Sequence, residues 1–419
     1  RIVRIMNRTS VVYPSLLLLA LAGAASAADI SVSGFGSAGY AVSDAPYKYL
    51  RHIDNNGSFK RDSRFGLQLD AALNEQFGAT LQGRVAPSEV DDLKTSAKFT
   101  WAFLSYRPSN DWLLRAGKLR VPVYLHSSNL DVGVTYDMGL LPREVYSLLP
   151  TNDYKGGSIS KSWPLAGGEL SAEVFSGRAE TALRTYLSPL QEPVYVPIRA
   201  NLRGLALNLQ RNEDVFHATI AEVFVRKGVG NDDGFDKFYP YVDPPGYFQV
   251  DNALPGPGVP KEETLHNIVY TFGADVDVGA GYRAMGEYAR RDIRDAVKGM
   301  DSWGAYLSLR KSFGNWTPYL SVSRLQSEAG PRKLFHDLYD NGFAPMVEYQ
   351  RMAADYSMLF DQRTWAFGTS YRIDPTHKIK AEWGSTHIGN RSTTIDLPPG
   401  KEFSHKNLNV FSVSYNFVF

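Results

Sequence analysis

Arg64-Phe65-Gly66-Leu67-Gln68-Leu69-Asp70-Ala71-Ala72-Leu73, then Asn74-Glu75-Gln76, then Phe77-Gly78-Ala79-Thr80-Leu81-Gln82-Gly83-Arg84-Val85, is the stretch that decides the fold. Phe65, Leu67, Leu69, Ala71 and Leu73 occupy every second position, with Gln68 and Asp70 between them. Phe77, Ala79, Leu81, Gly83 and Val85 repeat the pattern around Thr80, Gln82 and Arg84. A period of two marks strands with one apolar and one polar face, and the three residues between the runs make a tight hairpin turn. The same period returns at Tyr282, Ala284, Gly286 and Tyr288, at Trp303, Ala305, Leu307 and Leu309, and at Trp365, Phe367, Thr369, Tyr371 and Ile373. It returns again at Ile379, Ala381 and Trp383, and at Asn409, Phe411, Val413, Tyr415, Phe417 and Phe419.

The connections between these runs alternate in length. Short turns fall at Asn74-Glu75-Gln76, 108–111, Ala166-Gly167-Gly168, Asn212-Glu213-Asp214, Gly279-Ala280, Phe313-Gly314-Asn315 and Asp374-Pro375-Thr376. Long connections lie between them at 43–63, 87–95, 122–153, 179–199, 228–264, 293–300, 326–361 and 389–404. Loop length segregated by end is how a transmembrane β-barrel is built, and a soluble sandwich has no reason for it; the count predicts a closed antiparallel barrel of about sixteen strands. The low mean hydropathy of -0.27 fits, because only alternate residues of such strands meet lipid. Trp112, Trp163, Trp316 and Tyr371 stand beside short turns, where a barrel carries its interfacial aromatic girdle. A propeller would show a repeat of about 40–50 residues, and none is found.

Arg1, Arg4 and Arg8 precede an apolar run from Val11 to Leu21 that leads to Ala25-Ser26-Ala27, the plan of a cleavable secretory signal. Residues 1–27 are therefore expected to be a signal peptide, with 1–5 an artefact of the gene start, and 28–419 a single barrel domain in the outer membrane of a Gram-negative cell. With the first strand expected at Ile30, Val32, Gly34 and Gly36, no plug domain is expected before it, so any pore is expected to be passive. Zero cysteines exclude disulfides, thiolate metal sites and cysteine nucleophiles. The balance of 45 basic to 44 acidic residues turns slightly acidic without the three leader arginines, which argues against nucleic acid as a partner.

Ser414-Tyr415-Asn416-Phe417-Val418-Phe419 resembles the C-terminal assembly signal of outer-membrane barrels, with Tyr415, Phe417 and Phe419 as its aromatic residues. Leu114-Arg115-Ala116-Gly117-Lys118-Leu119-Arg120-Val121-Pro122 resembles the passage that leads into the third loop of porins, and Pro142-Arg143-Glu144-Val145-Tyr146 resembles part of that loop. The layout is similar to that of sixteen-stranded porins, nearest to the phosphate-selective-porin-like group. No run of closely spaced arginines accompanies these passages, so phosphate selectivity is not carried over. The resemblance implies a passive channel for small hydrophilic solutes, a homotrimer, and no cofactor. It also implies partners in outer-membrane lipid, lipopolysaccharide and the barrel-assembly machinery, and a loop at 122–153 folded into the pore. Tyr124, Leu125, Leu130, Val132, Val134, Tyr136, Met138, Leu140 and Leu141 are too apolar for a solvated loop, which supports the last point.

With the apolar set facing lipid, parity turns Arg84, Arg283, Glu287, Arg291, Arg310, Arg372, Lys378, Lys380 and Glu382 into the lumen. Near the loop, Lys98, Lys118, Arg120, Arg143 and Lys155 face Asp131, Asp137, Glu144 and Asp153. Opposed charges across a narrow aqueous path favour polar solutes, and an excess of basic residues leans toward anions. The rival readings are a barrel enzyme, for which His126 beside Ser127 and Ser128 is the suggestive neighbour group, and a surface receptor or adhesin acting through the long loops. Neither a catalytic residue nor a metal ligand is assigned; Asn231-Asp232-Asp233-Gly234 lacks the spacing of a calcium loop and reads as a turn.

Overall fold

In the computed structural model, residues 29–228, 234–294 and 301–419 are described; the expected signal peptide at 1–27 and the segment 231–233, expected as a turn, lie outside them. Sixteen antiparallel strands close into one barrel. In chain order they are β1 Asp29–Ser43, β2 Arg64–Ala72, β3 Phe77–Pro87, β4 Thr95–Ser109, β5 Trp112–Arg120, β6 Asp153–Leu165, β7 Gly168–Leu187 and β8 Glu192–Arg211. The second half holds β9 Asp214–Lys227, β10 Leu265–Gly279, β11 Tyr282–Ile293, β12 Ser302–Lys311, β13 Trp316–Ser327, β14 Asp361–Asp374, β15 His377–Ile388 and β16 Lys406–Val418. β16 pairs with β1 from Phe35 opposite Val418 to Ser43 opposite Val410, which closes the ring.

The outward face is the apolar one. Val32, Phe272, Leu307 and Phe367 expose 65%, 56%, 57% and 59% of their surface, a band that water would not tolerate and lipid does. At the short-turn end it is bordered by aromatic pairs, Phe77 with Tyr106 and Trp316 with Tyr371, each at 4.6 Å between rings. Lys161 lies 4.7 Å above the Trp112 ring in the same border.

One connection is not a loop. Residues 179–199 continue β7 and β8, two strands of 20 residues joined at 188–191. A membrane crossing needs about 9–11 residues, so half of this hairpin stands clear of the bilayer. Residues 326–361 also depart from irregular loop, because helices form at Ala329–Tyr339 and Val347–Tyr356. Phe335 and Leu338 of the first helix pack on Ala353 and Ala354 of the second, together with Tyr239 and Val259 of the connection between β9 and β10.

These long segments meet over the wide end of the barrel. Arg184, near the hairpin tip, bonds Asp92 at 2.7 Å and Asp396 at 2.6 Å, which ties together the second and eighth long connections. Arg51 and the Tyr195 hydroxyl reach the same Asp92 at 2.6 Å. Burial alone would raise the Asp92 carboxyl, but Arg184, Tyr195 and Arg51 bring it down to about 2.

Candidate functional site: the lumen and its inward loop

After β5 the chain turns into the barrel. The Pro122 carbonyl accepts the Thr219 hydroxyl at 2.9 Å, and the Val123 carbonyl accepts the Thr271 hydroxyl at 2.5 Å, so the loop entrance is fastened to β9 and β10. Leu125 N donates to Glu287 of β11 at 2.8 Å, and Gly139 N donates to the Tyr319 hydroxyl of β13 at 2.7 Å. Lys380 Nζ donates to the Met138 carbonyl at 2.9 Å and sits 3.7 Å from the centre of the Tyr136 ring. Val121 N donates to the Asn152 carbonyl at 2.8 Å, where the loop rejoins the wall.

The apolar residues of this loop are covered from within. Val121, Val123, Tyr124, Met138, Leu141, Val145, Tyr146 and Leu148 form one cluster with the inner faces of β7–β13, including Phe175, Ile198, Leu202, Val225, Leu265 and Val269. Each large side chain buried this way stabilises the docked loop by about 1.5–3 kcal/mol. The remaining space inside the cluster is a cavity of about 50 Å³ with apolar walls.

On the other side of the loop the contacts are ionic. Asp131 is buried and meets Arg84 at 2.6 Å, Arg120 at 2.9 Å and Arg64 at 3.3 Å. Burial would raise its carboxyl, but Arg120, Arg84 and Arg64 hold it far below the usual carboxylate range. Asp137 meets Lys378 at 2.9 Å and Arg310 at 3.5 Å. Between these two anchors a space of about 10 Å³, lined by Ser37, Asp62, Arg64, Asp131, Tyr136 and Asn416, separates loop from wall, room for about one water. Above it lies a vestibule with about 350 Å³ of water-accessible space, roofed by the long connections and bounded below by Leu130, Asp131, Tyr136, Leu140 and Arg143.

Arg84, Arg283, Glu287, Arg291, Arg310, Arg372, Lys378, Lys380 and Glu382 all lie on inward positions, as parity requires: Arg84 pairs in register with Lys98, Arg283 with Arg310, and Arg372 with Lys378. Several are nonetheless not on open water. Glu287, Arg291, Lys378 and Lys380 are buried beneath the loop. Glu287 accepts from the Tyr146 and Tyr306 hydroxyls, Arg291 donates to the Leu148 carbonyl at 3.1 Å, and Glu382 accepts from the Tyr319 hydroxyl at 2.5 Å. Glu287 and Arg291 thus fasten the loop to the wall, and Glu382 holds the Tyr319 hydroxyl that accepts from Gly139 of the loop. Among the described residues Glu144 has no ion-pair partner, and it accepts from Gln362 and Thr364 at 3.0 and 2.6 Å.

Lys118 and Lys155 differ from the expected set. They pair with each other and with Ala102 and Arg178 on the outer face, opposite the inward Phe103, Ser158 and Phe175. Lys98 does face inward and bridges Glu89 at 2.7 Å and Asp153 at 3.1 Å, and Arg120 reaches the same Asp153 at 3.2 Å. Arg143 points into the vestibule rather than toward an acidic wall, beside Arg51, Arg61 and Arg64 of the first long connection and its exit, which no sequence pattern had marked as part of the lumen. His126 and Ser127 form no nucleophile–base pair. Ser127 Oγ accepts from Tyr124 N at 2.8 Å, while the imidazole faces Asn129 and Met285.

The anion-selective porin from Comamonas acidovorans aligns at 11% identity over 94% of this chain and 100% of its own, with a TM-score of 0.52. OprB of Pseudomonas putida aligns at 9% identity over 96% of each chain, TM-score 0.50. A loop L8 deletion mutant of OmpT, an outer membrane protein of Vibrio cholerae, gives 11%, 94%, 100% and 0.52. The fold is that of the outer-membrane porins. No family model and no curated protein matches the sequence. At such identities the likeness is one of architecture, so any solute must be argued from the side chains of this porin-type barrel.

One titration follows from the vestibule. Burial, with Arg51 alongside, lowers the His52 imidazole from 6.5 to about 4. The unfolded or released segment therefore binds the proton first. The stability contributed by the neutral ring is whole above pH 6.5 and is lost as pH falls from there toward 4. Protease cleavage within residues 43–63 of the reconstituted barrel should rise across that window, and His52→Gln should flatten the rise. Equal cleavage at pH 7 and pH 4 in the unaltered chain would refute it.

Proposed function

We propose that this chain is a passive outer-membrane channel for small hydrophilic solutes, anion-leaning, with residues 122–153 as its constriction. The observation that carries the reading is the inward loop held between two ionic anchors, Asp131 on the Arg64, Arg84 and Arg120 side and Asp137 on the Lys378 and Arg310 side. Fixed charges of both signs on the loop and the facing wall set the field at the constriction, which favours small polar species over apolar ones. Arg283 and Arg310 share Asp275 at 3.1 and 2.7 Å, and Arg283 also meets Glu213 and Asp214 at 3.5 and 3.7 Å, so the pair adds little net charge below the loop. Arg372 is solvent-exposed on an inward position near the short turns, and in this reading it biases the exit.

Liposome swelling with sugars of graded size tests the channel itself; an outer-membrane hydrolase or an adhesin would give no swelling. Arg372→Glu tests the charge bias, and it should lower the anion-to-cation permeability ratio measured from reversal potentials in a salt gradient. An unchanged reversal potential removes Arg372 from the path. Assembly as a homotrimer, insertion by the barrel-assembly machinery through Tyr415, Phe417 and Phe419, and contact of lipopolysaccharide with outward basic residues such as Lys155 and Arg178 belong to the same proposal.

A further inference from the structure

The wall behind the docked loop is not completely filled. A cavity of about 50 Å³ lies between Val123, Leu148 and Leu149 of the loop and Ala179, Ala200 and Ala221 of β7, β8 and β9. Its origin is in the sequence. Ala179 pairs with Ala200 across β7 and β8, and Ala221 faces inward one strand further on, among Ile198, Leu202 and Val225. Gly177 and Gly204 of the same wall leave no such gap, since the Tyr154 and Phe175 rings cover them so closely that an added Cβ would collide. The space is left by alanine methyls where the neighbouring positions carry larger side chains.

Protein interiors hold few voids larger than a water molecule, and such a void weakens the packing that holds the loop. Water is a poor filling, because a buried water needs several polar partners. Three of the lining side chains are polar, and each is engaged elsewhere. Asn267 Nδ2 donates to the Val223 and Leu265 carbonyls at 3.3 and 3.2 Å, and Arg291 donates to the Leu148 carbonyl at 3.1 Å. Thr151 Oγ1 accepts from Asp153 N at 3.3 Å. The walls therefore offer an entering molecule little besides carbon. Access comes from the vestibule, since Leu149, Pro150, Thr151 and Leu183 line both spaces. Size narrows the occupant further. A cavity of about 150 Å³ takes a benzene ring, and this one has about a third of that volume, too little for a ring and enough for the end of a straight alkyl chain.

We propose that this cavity binds the short alkyl end of a neutral solute, of the straight-chain primary alcohol kind, whose polar end stays in the vestibule water. The inference goes beyond a channel for hydrophilic solutes and does not rest on conduction. An alkyl end seated there touches loop and wall together, so it binds only the docked loop and stabilises the docking by mass action.

Titration of ethanol, propanol, butanol and hexanol into the folded barrel in detergent, with isotope-labelled alanine methyls followed by nuclear magnetic resonance, tests the site. The Ala179, Ala200 and Ala221 methyl signals should shift saturably. Affinity should rise about fourfold for each added methylene and level off once the chain outgrows the cavity, whereas uptake by detergent micelles climbs without levelling. Ala200→Leu, which fills the space from the wall, should abolish the shifts at Ala179 and Ala221. Ala221→Val is the smaller filling, serves where leucine displaces the loop, and should weaken binding about tenfold. Shifts spread evenly over all alanine methyls, affinity that climbs with chain length without limit, or shifts that persist in both filled variants would overturn the site. None of these outcomes bears on the channel, which stands or falls on ion current.

Discussion

Excising residues 131–144 is expected to raise single-channel conductance severalfold and to admit larger sugars in liposome swelling, while the barrel still assembles. The segment carries both ionic anchors, Asp131 and Asp137, and the Tyr136 ring that covers Lys380. It lies outside the strand ladder, since β5 and β6 pair up to Arg120 opposite Asp153 without it. Loops tolerate shortening better than strands do. The excision does carry a local cost. Arg64, Arg84 and Arg120 lose their shared carboxylate, and breaking a buried ion pair on one side costs on the order of 3–5 kcal/mol. Water admitted to the widened lumen would recover part of it. Unchanged conductance with normal heat-modifiable migration would mean that ions do not pass beside this segment.

The second large effect concerns the seam. Replacing Phe419 by Asp, or deleting it, should deplete folded barrel from the outer membrane and leave unfolded chain in the periplasm. Phe419 extends the closing ladder beyond β16: Phe419 N donates to the Gly34 carbonyl at 3.0 Å and Gly34 N to the Phe419 carbonyl at 2.9 Å. An unsatisfied backbone group facing lipid costs several kcal/mol, so the last pair of a seam matters more than its position suggests. The tip of the ring covers Gly34, where any Cβ would collide with it, and Phe417 covers Gly36 in the same way. Phe419 also stacks on Phe65 at 6.3 Å, which joins β16 across β1 to β2. The Asp variant places a charge among these rings. Normal surface level and normal heat-modifiable migration of that variant would show that the seam closes without the aromatic residue.

Much of the barrel was legible because lipid on one side and water on the other impose a period of two. Leu81, Val85, Leu309, Phe367 and Phe411 all fall on the exposed face that alternation assigns them. The rule fails where the strands leave the bilayer. In β8 the apolar set runs Val194, Val196, Ile198, Ala200 and Leu202, then changes parity to Leu205, Leu207 and Leu209. The lower set faces lipid, whereas Ile198, Ala200 and Leu202 face inward onto the docked loop. The outer face at that level carries Arg199 and Arg203, bridged to Glu180 and Glu222. That switch was visible in the sequence and marks both the height at which the hairpin emerges and the wall that the loop covers. Reading 179–199 as a loop missed it, since a turn was sought where only the solvent changed sides.

The lumen was legible residue by residue but not in its partnerships. Parity could turn Glu287 and Lys380 inward, yet it could not tell a side chain lining water from one clamped beneath a loop, because that depends on where Tyr146 and Met138 come to rest. Arg51, Arg61 and Arg64 were missed for a related reason. They belong to a long connection and its exit, and nothing in local sequence says that such a segment folds back over the lumen instead of away from it.

Planar-bilayer recording on the purified, folded chain tests the central reading most directly. Stepwise ion conductance is expected, with a reversal potential in a salt gradient that leans toward anions and shifts with Arg372→Glu. A barrel that migrates as folded and inserts into the bilayer, yet carries no current at any applied voltage, would contradict it.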